Sequence, residues 1–323
     1  MPTHIDVLVG DYESCVRWNY YAILADAHCM QASPSTTGLA SFYFGYIVHN
    51  YHMLVYGAIL GGMEEKAMQM ADKLNKQLNE DLLMEHPQLT AYLESYSALE
   101  VHVMVRFGRW KEILELEMPR DKNLMLFRAA TITFARALSY ANLGDTNNAK
   151  READRYDSLR KNPLALERIL HNNQVSDLLA VDAPMLRGEI AYREGRFEDA
   201  FKLLRKAVEL QDNLNYDEPW GKMQPTRHAL GGLLLEQGHL TEAEEVFRTD
   251  LRFHPHNPFG LVGLIQCLRR QVNSGLLQDG ETKDKNSEAQ KLQEELKEQR
   301  KSEWADVEIV VPCACCDGNK VVS

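Results

Sequence analysis

The feature that most constrains the fold of this chain is a helical-hairpin pattern that recurs around six glycines. In its clearest copies, "LRGEIAYREGRFEDAFKLLRKAVEL" and "ALGGLLLEQGHLTEAEEVFRTDLRFHP", a central glycine follows another glycine by seven residues and precedes an alanine by five. Glycine commonly ends a helix in the left-handed conformation, and small residues let two helices touch. The pattern predicts helix, turn and helix, with turns at Gly10, Gly62, Gly108, Gly144, Gly195 and Gly238.

This pattern resembles the tetratricopeptide repeat, in which an aromatic residue precedes the turn and an alanine follows it. Four blocks, "MPTHIDVLVGDY", "VHNYHML", "YDEPWGKMQPTRHALGG" and "EWADVEI", are also similar to a microbial group of tetratricopeptide-domain proteins of unassigned biochemistry, where MPSHI-like, HNxHF-like and YDEPP.W-like blocks recur. The resemblance implies an all-α fold, a divergent tetratricopeptide-like solenoid whose helical hairpins form a right-handed superhelix. This chain departs from the group at "DEPW", which has one proline where the group has two.

The sequence divides into four segments. Residues 1–272 are expected to form the helical-repeat domain, with a truncated first repeat because only nine residues precede Gly10, as in the C-terminal portion of a longer array. Residues 273–287 are polar and are predicted to be an inserted linker, and residues 288–305 a charged helix. Residues 306–323 contain "PCACC" and are predicted to be a disordered or redox-sensitive tail.

Histidines are concentrated on one stripe of the first helix in each hairpin. Counted back from the turn glycines, positions minus 13, minus 10 and minus 6 are three or four residues apart and share a helix face. The tetratricopeptide resemblance implies that this face lines a concave groove. Five of the eleven histidines and two further polar residues on the stripe are candidates for a ligand groove: His4, His49, His52, His102 and His228, with Tyr56 and Glu189.

A second cluster lies in "NYDEPWGKMQPTRH", where carboxylates, an indole and a guanidinium come together beside His228. Proline and glycine make this segment a loop, and loops often carry binding residues. Asp217, Glu218, Trp220 and Arg227 are therefore candidates for binding a small polar ligand or a peptide. The alternative is structural: Glu218 and Arg227 would hold the loop in place, and Trp220 would cover the next hairpin.

Metal binding is one hypothesis for part of the stripe. Zinc and related divalent ions need three or four ligands around one point, and two imidazoles three residues apart on a helix can supply two of them. His4, His49, His52 and His102 are the candidate ligands. No HExxH or paired CxxC motif accompanies them. The alternatives are a groove that binds its ligand without metal and histidines that only pack.

Charge and composition narrow the classes of function. With 47 acidic and 36 basic residues the net charge is −11, so no nucleic-acid partner is expected. The sequence has no apolar run of about 18 residues and no export signal, so no membrane partner is expected, and a cytoplasmic location with reduced thiols is predicted. Hydrolase, P-loop and dinucleotide-binding signatures are absent.

Two functions from different classes remain open. The first is a helical-repeat binding protein whose groove takes a protein, a peptide or a small-molecule ligand. The second is an enzyme of small-molecule metabolism that uses the groove histidines, either with a divalent metal or as general acid and base.

Overall fold

The computed structural model describes residues 2–39, 41–219 and 221–317. This part of the chain is almost entirely helical, as predicted. In chain order its helices are α1 (Pro2–Leu8), α2 (Tyr12–Ala32), α3 (Pro34–Thr37), α4 (Phe42–Gly61), α5 (Glu64–Gln77), α6 (Glu80–Glu85), α7 (Pro87–Leu93), α8 (Leu99–Arg106), α9 (Trp110–Glu115), α10 (Leu126–Asn142), α11 (Thr146–Arg160), α12 (Leu164–Glu167), α13 (Val175–Arg193), α14 (Phe197–Asp212), α15 (Thr226–Glu236), α16 (Leu240–Phe253), α17 (Pro258–Asn273) and α18 (Asp279–Gln299). A 3-10 turn at Tyr96–Ala98 and an antiparallel ribbon, β1 (Ile169–Leu170) with β2 (Asn173–Gln174), complete the regular structure of the described ranges.

All six predicted turn glycines lie between the two helices of a hairpin. Their φ angles range from +69° at Gly62 to +87° at Gly144, the left-handed region that glycine enters without steric cost. The hairpins are α1–α2, α4–α5, α8–α9, α10–α11, α13–α14 and α15–α16. The predicted turn positions are confirmed.

Small residues set the spacing between packed helices. A Cβ atom at Gly188 would lie 2.9 Å from Leu204, and one at Gly231 would lie 2.7 Å from the ring of Phe247 on the partner helix. Protein interiors leave no room for such approaches without rearrangement. The glycines that precede the turns by seven residues therefore allow each pair of helices to pack closely, as the sequence pattern predicts.

The first hairpin also contacts residues near the other end of the chain. Tyr12 Oη donates a hydrogen bond of 2.9 Å to the carbonyl oxygen of Pro255, and Gly10 packs against the same peptide group. On α8, the buried Arg106 donates a 3.0 Å hydrogen bond to Nδ1 of His228 on α15. These contacts close the N-terminal hairpins onto α15, α16 and α17.

The charged helix near the C-terminus differs from its predicted bounds. α18 begins at Asp279, so much of the predicted linker (273–287) is helical, and the helix ends at Gln299 rather than at residue 305. A capping box formed by Gln278 and Glu281 starts the helix. Its charges have partners on α16, where Arg248 forms a bidentate pair with Glu288 at 2.7 Å for each bond. This polar sequence is helical because a neighbouring helix supplies complementary charges.

The C-terminal tail differs from the prediction of disorder as far as residue 317, and residues 318–323 lie outside the described ranges. Pro312 and Cys315 are buried, and Val311 packs against the main hydrophobic core. Cys313 and Cys315 are joined by a disulfide, which corrects the prediction that all thiols are reduced.

One face of α1 and α2 is apolar and exposed. Ile5 and Trp18 are 59% and 56% exposed, and Val9 and Tyr21 are exposed beside them. Within the described ranges, no helix combines the length and the apolar character that crossing a bilayer would require.

Candidate functional site

A cavity of about 690 Å³ opens beside the N-terminal half of α4. Residues at i, i+3, i+4 and i+7 of α4 share one helix face, which places Phe42, Gly45, Tyr46 and His49 along one wall. α7 and the 3-10 turn that follows it supply the opposite wall. The remaining lining residues are His4, Leu39, Ser41, Phe44, Leu89, Tyr92, Leu93, Tyr96 and His171.

Aromatic rings dominate this pocket. Phe42 and Tyr46 meet edge to face with their centroids 5.4 Å apart, and Tyr92 and Tyr96 do the same at 5.7 Å. Phe42 is 84% exposed, so a large apolar ring at the mouth of the pocket stands in water. A concave, mostly apolar site with a few convergent polar groups is the usual form of a small-molecule site.

The polar side of the pocket is a chain of hydrogen-bonded side chains. His4 Nδ1 lies 2.5 Å from Oε2 of Glu218, and His4 Nε2 lies 3.0 Å from Nε2 of His49. Tyr216 donates its hydroxyl to the other carboxylate oxygen of Glu218. The chain therefore runs from a carboxylate through one imidazole to a second imidazole that lines the pocket.

The charge states along this chain follow from burial and from neighbouring groups. Burial, reinforced by His4 and His171, lowers the pKa of His49 to about 4, so its imidazole is neutral at pH 7. Burial alone would raise the pKa of Glu218, but hydrogen bonds from Tyr216 and His4 lower it below its ordinary value. Glu218 is therefore a carboxylate that can orient His4 through Nδ1.

His171 belongs to the site, although the sequence analysis did not identify it. It occupies the two-residue turn between β1 and β2 with a φ of +51°, outside any first helix, so the histidine stripe could not indicate it. Its ring stacks on that of His52, with centroids 5.3 Å apart and planes 19° apart. Asp217 Oδ2 accepts a 3.2 Å hydrogen bond from the backbone N–H of Asn172 and so holds the turn. Burial, partly offset by that bond and by His171, raises the pKa of Asp217.

Two of the other three stripe histidines, His52 and His102, face a small internal void rather than an open groove. His52 is buried, with Nε2 3.1 Å from the sulfur of Met223, and His102 accepts a 2.7 Å hydrogen bond from Gln224 at its backbone carbonyl. Burial lowers the pKa of His102 to about 3 and that of His52 well below its ordinary value. Both line a void of about 30 Å³ together with His171.

The loop between α14 and α15 explains this difference from the prediction. Its described residues contact stripe positions on four first helices, α1, α4, α8 and α13: Glu218 meets His4, Met223 meets His52, Gln224 meets His102 and Lys222 pairs with Asp182. Among the described residues, these four stripe positions thus lie around a space that the chain's own loop fills. The end of the stripe at His4 and His49 opens onto the 690 Å³ cavity.

The four candidate metal ligands do not converge. His4 and His49 are in contact, whereas His52 and His102 lie on the far side of His171. Across the described ranges, no group of three or more His, Cys, Asp or Glu side chains is arranged to hold a metal ion.

The remaining candidates have structural partners instead of facing the pocket. Arg227 forms a bidentate pair with Asp212 at 2.7 and 2.5 Å, so it holds α15 to α14 and does not pair with Glu218. His228 donates from Nε2 to the buried Asp250 at 2.7 Å, because Arg106 donates to its Nδ1.

Two other stripe residues are also buried. The hydroxyl of Tyr56 is inaccessible and burial raises its pKa. Glu189 accepts a 3.3 Å hydrogen bond from Asn142, and burial raises its pKa to about 7. Trp220, the other candidate in the loop, lies outside the described residues.

Replacing His52 with alanine is expected to lower the free energy of unfolding by about 2 kcal/mol, because it leaves a cavity between Met223, Tyr96 and His171. Urea denaturation of the purified variant measures this loss. His49→Ala is the matched control, since His49 borders the open pocket and water can fill the space. An unchanged stability in His52→Ala would mean that the histidine faces solvent.

Comparison with models of known protein families found no match to this chain. A comparison with curated proteins found no match either. The chemistry of the pocket therefore has to be inferred from its own residues.

Proposed function

We propose that this chain is a helical-repeat binding protein of divergent tetratricopeptide type, and that it binds a small-molecule ligand in the aromatic pocket beside α4. The six hairpins with glycine turns support a tetratricopeptide-like solenoid. The loop between α14 and α15 fills the centre of the histidine-lined surface. This favours a small ligand at the open end of that surface over a peptide bound along its whole length. The net charge of −11 gives no general attraction to nucleic acid or to anionic membranes, so we propose neither as a partner.

One observation carries the proposal: a 690 Å³ pocket walled by aromatic rings ends at a hydrogen-bonded pair of imidazoles. The volume falls in the range of sites for drug-sized ligands. Rings such as Phe42 and Tyr92 would contribute mainly through the apolar surface that they and the ligand remove from water, about 25 cal/mol per Å². The ligand should therefore be aromatic or otherwise flat and apolar.

The polar end of the ligand should be uncharged or weakly acidic. His49 is neutral at pH 7, and its partner His4 is held by the carboxylate of Glu218. A neutral imidazole can donate or accept one hydrogen bond at each nitrogen, so it suits a hydroxyl group. A phenol-like ligand fits both the aromatic walls and this end of the pocket.

We expect 2-naphthol to bind this pocket more tightly than naphthalene, and we expect His49→Phe to remove that preference. The hydroxyl group adds a hydrogen bond worth about 1 kcal/mol, or about fivefold in affinity, which phenylalanine cannot make. Fluorescence titration with both probes measures the two dissociation constants.

A matched pair of aromatic variants tests the location of the probe. Tyr92→Ala should weaken binding of both probes, because Tyr92 lines the pocket. Tyr21→Ala should leave binding unchanged, because this ring is exposed on α2 away from the pocket. Equal losses in the two variants would mean that the probes bind exposed aromatic rings at random and would remove the support for the site.

The carboxylate–imidazole–imidazole chain favours a second candidate, an enzyme that uses His4 and His49 in acid and base catalysis. A carboxylate that fixes one nitrogen of an imidazole leaves the other available for proton transfer. The pKa of about 4 makes His49 a weak base, which is why binding is the first candidate. Release of 2-naphthol from 2-naphthyl acetate, lost in His49→Gln, would favour the enzyme.

A further inference from the structure

Residues 306–317 cross several helices: residues 306–311 are extended, and residues 313–316 form a turn closed by a 3.0 Å hydrogen bond from the N–H of Cys316 to the carbonyl of Cys313. Between residues 306 and 311 its exposure alternates with a period of two: residues 307, 309 and 311 are half-buried, whereas residues 306, 308 and 310 are exposed. This alternation is the property of a strand-like peptide lying on a surface. We call these twelve residues the tail segment.

The tail segment begins at an acidic anchor. The carboxylate of Asp306 accepts hydrogen bonds from the backbone N–H groups of Glu64 at 2.8 Å and Glu65 at 2.6 Å, in the first turn of α5. Free N–H groups at a helix N-terminus favour an anion. Three residues later, Ile309 packs over the turn glycine Gly62, where any Cβ atom would collide with it.

Further along, side chains of three different helices bind the backbone of the tail segment. Gln266 on α17 donates a 2.7 Å hydrogen bond to the carbonyl of Val310. Arg193 on α13 donates to the carbonyl of Cys315, and Glu236 on α15 accepts from the N–H of Asp317. The bond to Val310 holds the extended part of the segment, and the bonds to Cys315 and Asp317 hold the turn that follows it.

Small residues leave room for the tail segment. A Cβ atom at Gly232 would lie 3.1 Å from Pro312, and one at Gly108 would lie 3.2 Å from Ala314. The neighbouring Gly231 faces the partner helix instead, so the two adjacent glycines of α15 serve two different contacts. The surface is thus shaped for a chain that passes over α15 and the α8–α9 turn.

We propose that the surface under residues 306–311 is a binding groove for an extended peptide with an acidic residue followed by alternating apolar residues, and that residues 306–311 occupy it as an intramolecular ligand. The N-terminus of α5 binds the acid, the half-buried positions select apolar side chains, and Gln266 binds the backbone. Asp306 is exposed and the inward side chains up to residue 311 are only half-buried, whereas Pro312 and Cys315 are buried. Residues 306–311 can therefore leave the groove while the buried turn that follows stays in place and the helices stay folded.

Because the chain's own tail occupies the groove, a separate peptide has to compete with it. A tethered segment competes at an effective concentration of the order of millimolar. A free peptide of the same pattern should therefore bind poorly to the intact chain, and should bind well once the tail segment is weakened. The groove shares no residue with the aromatic pocket, so failure of either proposal leaves the other untouched.

The test uses the full chain and a fluorescent peptide of residues 303–312. In the double variant D306A/I309S, which removes the acidic anchor and an inward side chain, we expect the peptide to bind at least tenfold more tightly than it binds the unaltered chain. The matched double variant E308A/V310S changes two exposed positions of the same segment and should behave like the unaltered chain. Adding Gln266→Leu to D306A/I309S should reverse the gain, because it removes a donor from the groove.

Hydrogen exchange of the tail segment completes the test. The proposal requires its amides to exchange faster than those of the central helices, and D306A/I309S to raise that rate further. Exchange only through global unfolding would overturn the proposal, as would a released tail without any gain in peptide affinity.

Discussion

Replacing Gly10 with alanine is expected to lower the free energy of unfolding by about 3–5 kcal/mol, far more than the same change at Gly195. Both residues have left-handed φ angles, +79° and +76°, which cost alanine about 1–2 kcal/mol. Only at Gly10 would the new Cβ atom collide with backbone, 2.8 Å from the carbonyl carbon of Pro255 and closer still to its oxygen. Overpacking against an immobile group adds about 1–3 kcal/mol, and displacement of Pro255 would also break its hydrogen bond with Tyr12, worth about 1 kcal/mol.

Urea denaturation of the two variants side by side measures this difference. Gly195→Ala is the control, because a Cβ atom there has no neighbour within 4 Å among the described residues. It therefore reports the cost of the backbone conformation alone. Equal losses in the two variants would show that the first hairpin and the residue at 255 are not in contact in solution.

Protonation, in the unfolded chain, of histidines that are buried in the fold is expected to lower the free energy of unfolding by about 3 kcal/mol when the pH is lowered from 6.5 to 5.5, partly offset by Glu189, whose raised pKa stabilises the fold as the pH falls. Burial lowers the pKa values of five histidines in the folded state: His49, His52, His102, His171 and His228. In the unfolded chain a histidine titrates near 6.5. The unfolded state therefore binds more protons below that pH, and stability that is complete above pH 6.5 is lost as the pH falls toward the folded-state values.

The size of the effect follows from three histidines whose pKa lies far below 6.5: His49, His52 and His102. Each costs about 1 kcal/mol between pH 6.5 and 5.5, because the unfolded form is already half protonated at pH 6.5, so the three together account for about 3 kcal/mol. Denaturation at the two pH values measures it, and His102→Gln should lose about 1 kcal/mol less than the unaltered chain. The same change at the exposed His28 on α2 is the control. An equal fall in the unaltered chain and in His102→Gln would contradict the neutral, buried state of His102.

The turns were predictable from sequence because their cause is local. A left-handed residue at the end of a helix requires glycine, and the same requirement recurs in every hairpin. The turn at Gly275 between α17 and α18 has the same geometry, with a φ of +68°, yet it was not predicted. The residues after it are polar, and their helical state depends on charges from α16 that are distant in sequence.

The site was predicted only in part, because some of its residues are brought together by contacts between segments that are distant in sequence. His4 and His49 lie on a helical stripe that the spacing reveals, and the structure brings them together with Glu218. His171 and the wall opposite α4 come from a β-turn and from short helices that have no periodic relation to the stripe. The loop that fills the rest of the surface could not be located, because its position depends on contacts with four separate helices.

The hydrogen bond between Tyr12 and Pro255 joins residues that are 243 positions apart, and this has a consequence for folding. Hairpins stacked in chain order can form one after another from local contacts, which is fast. A contact between the first hairpin and the α16–α17 connection can form only after the intervening hairpins have assembled, and it must offset the entropy of closing a very long loop. Once formed, it holds the first hairpin against α16 and α17, so we expect the two ends of the array to lose their structure together and the helices from α1 to α17 to unfold as one cooperative unit.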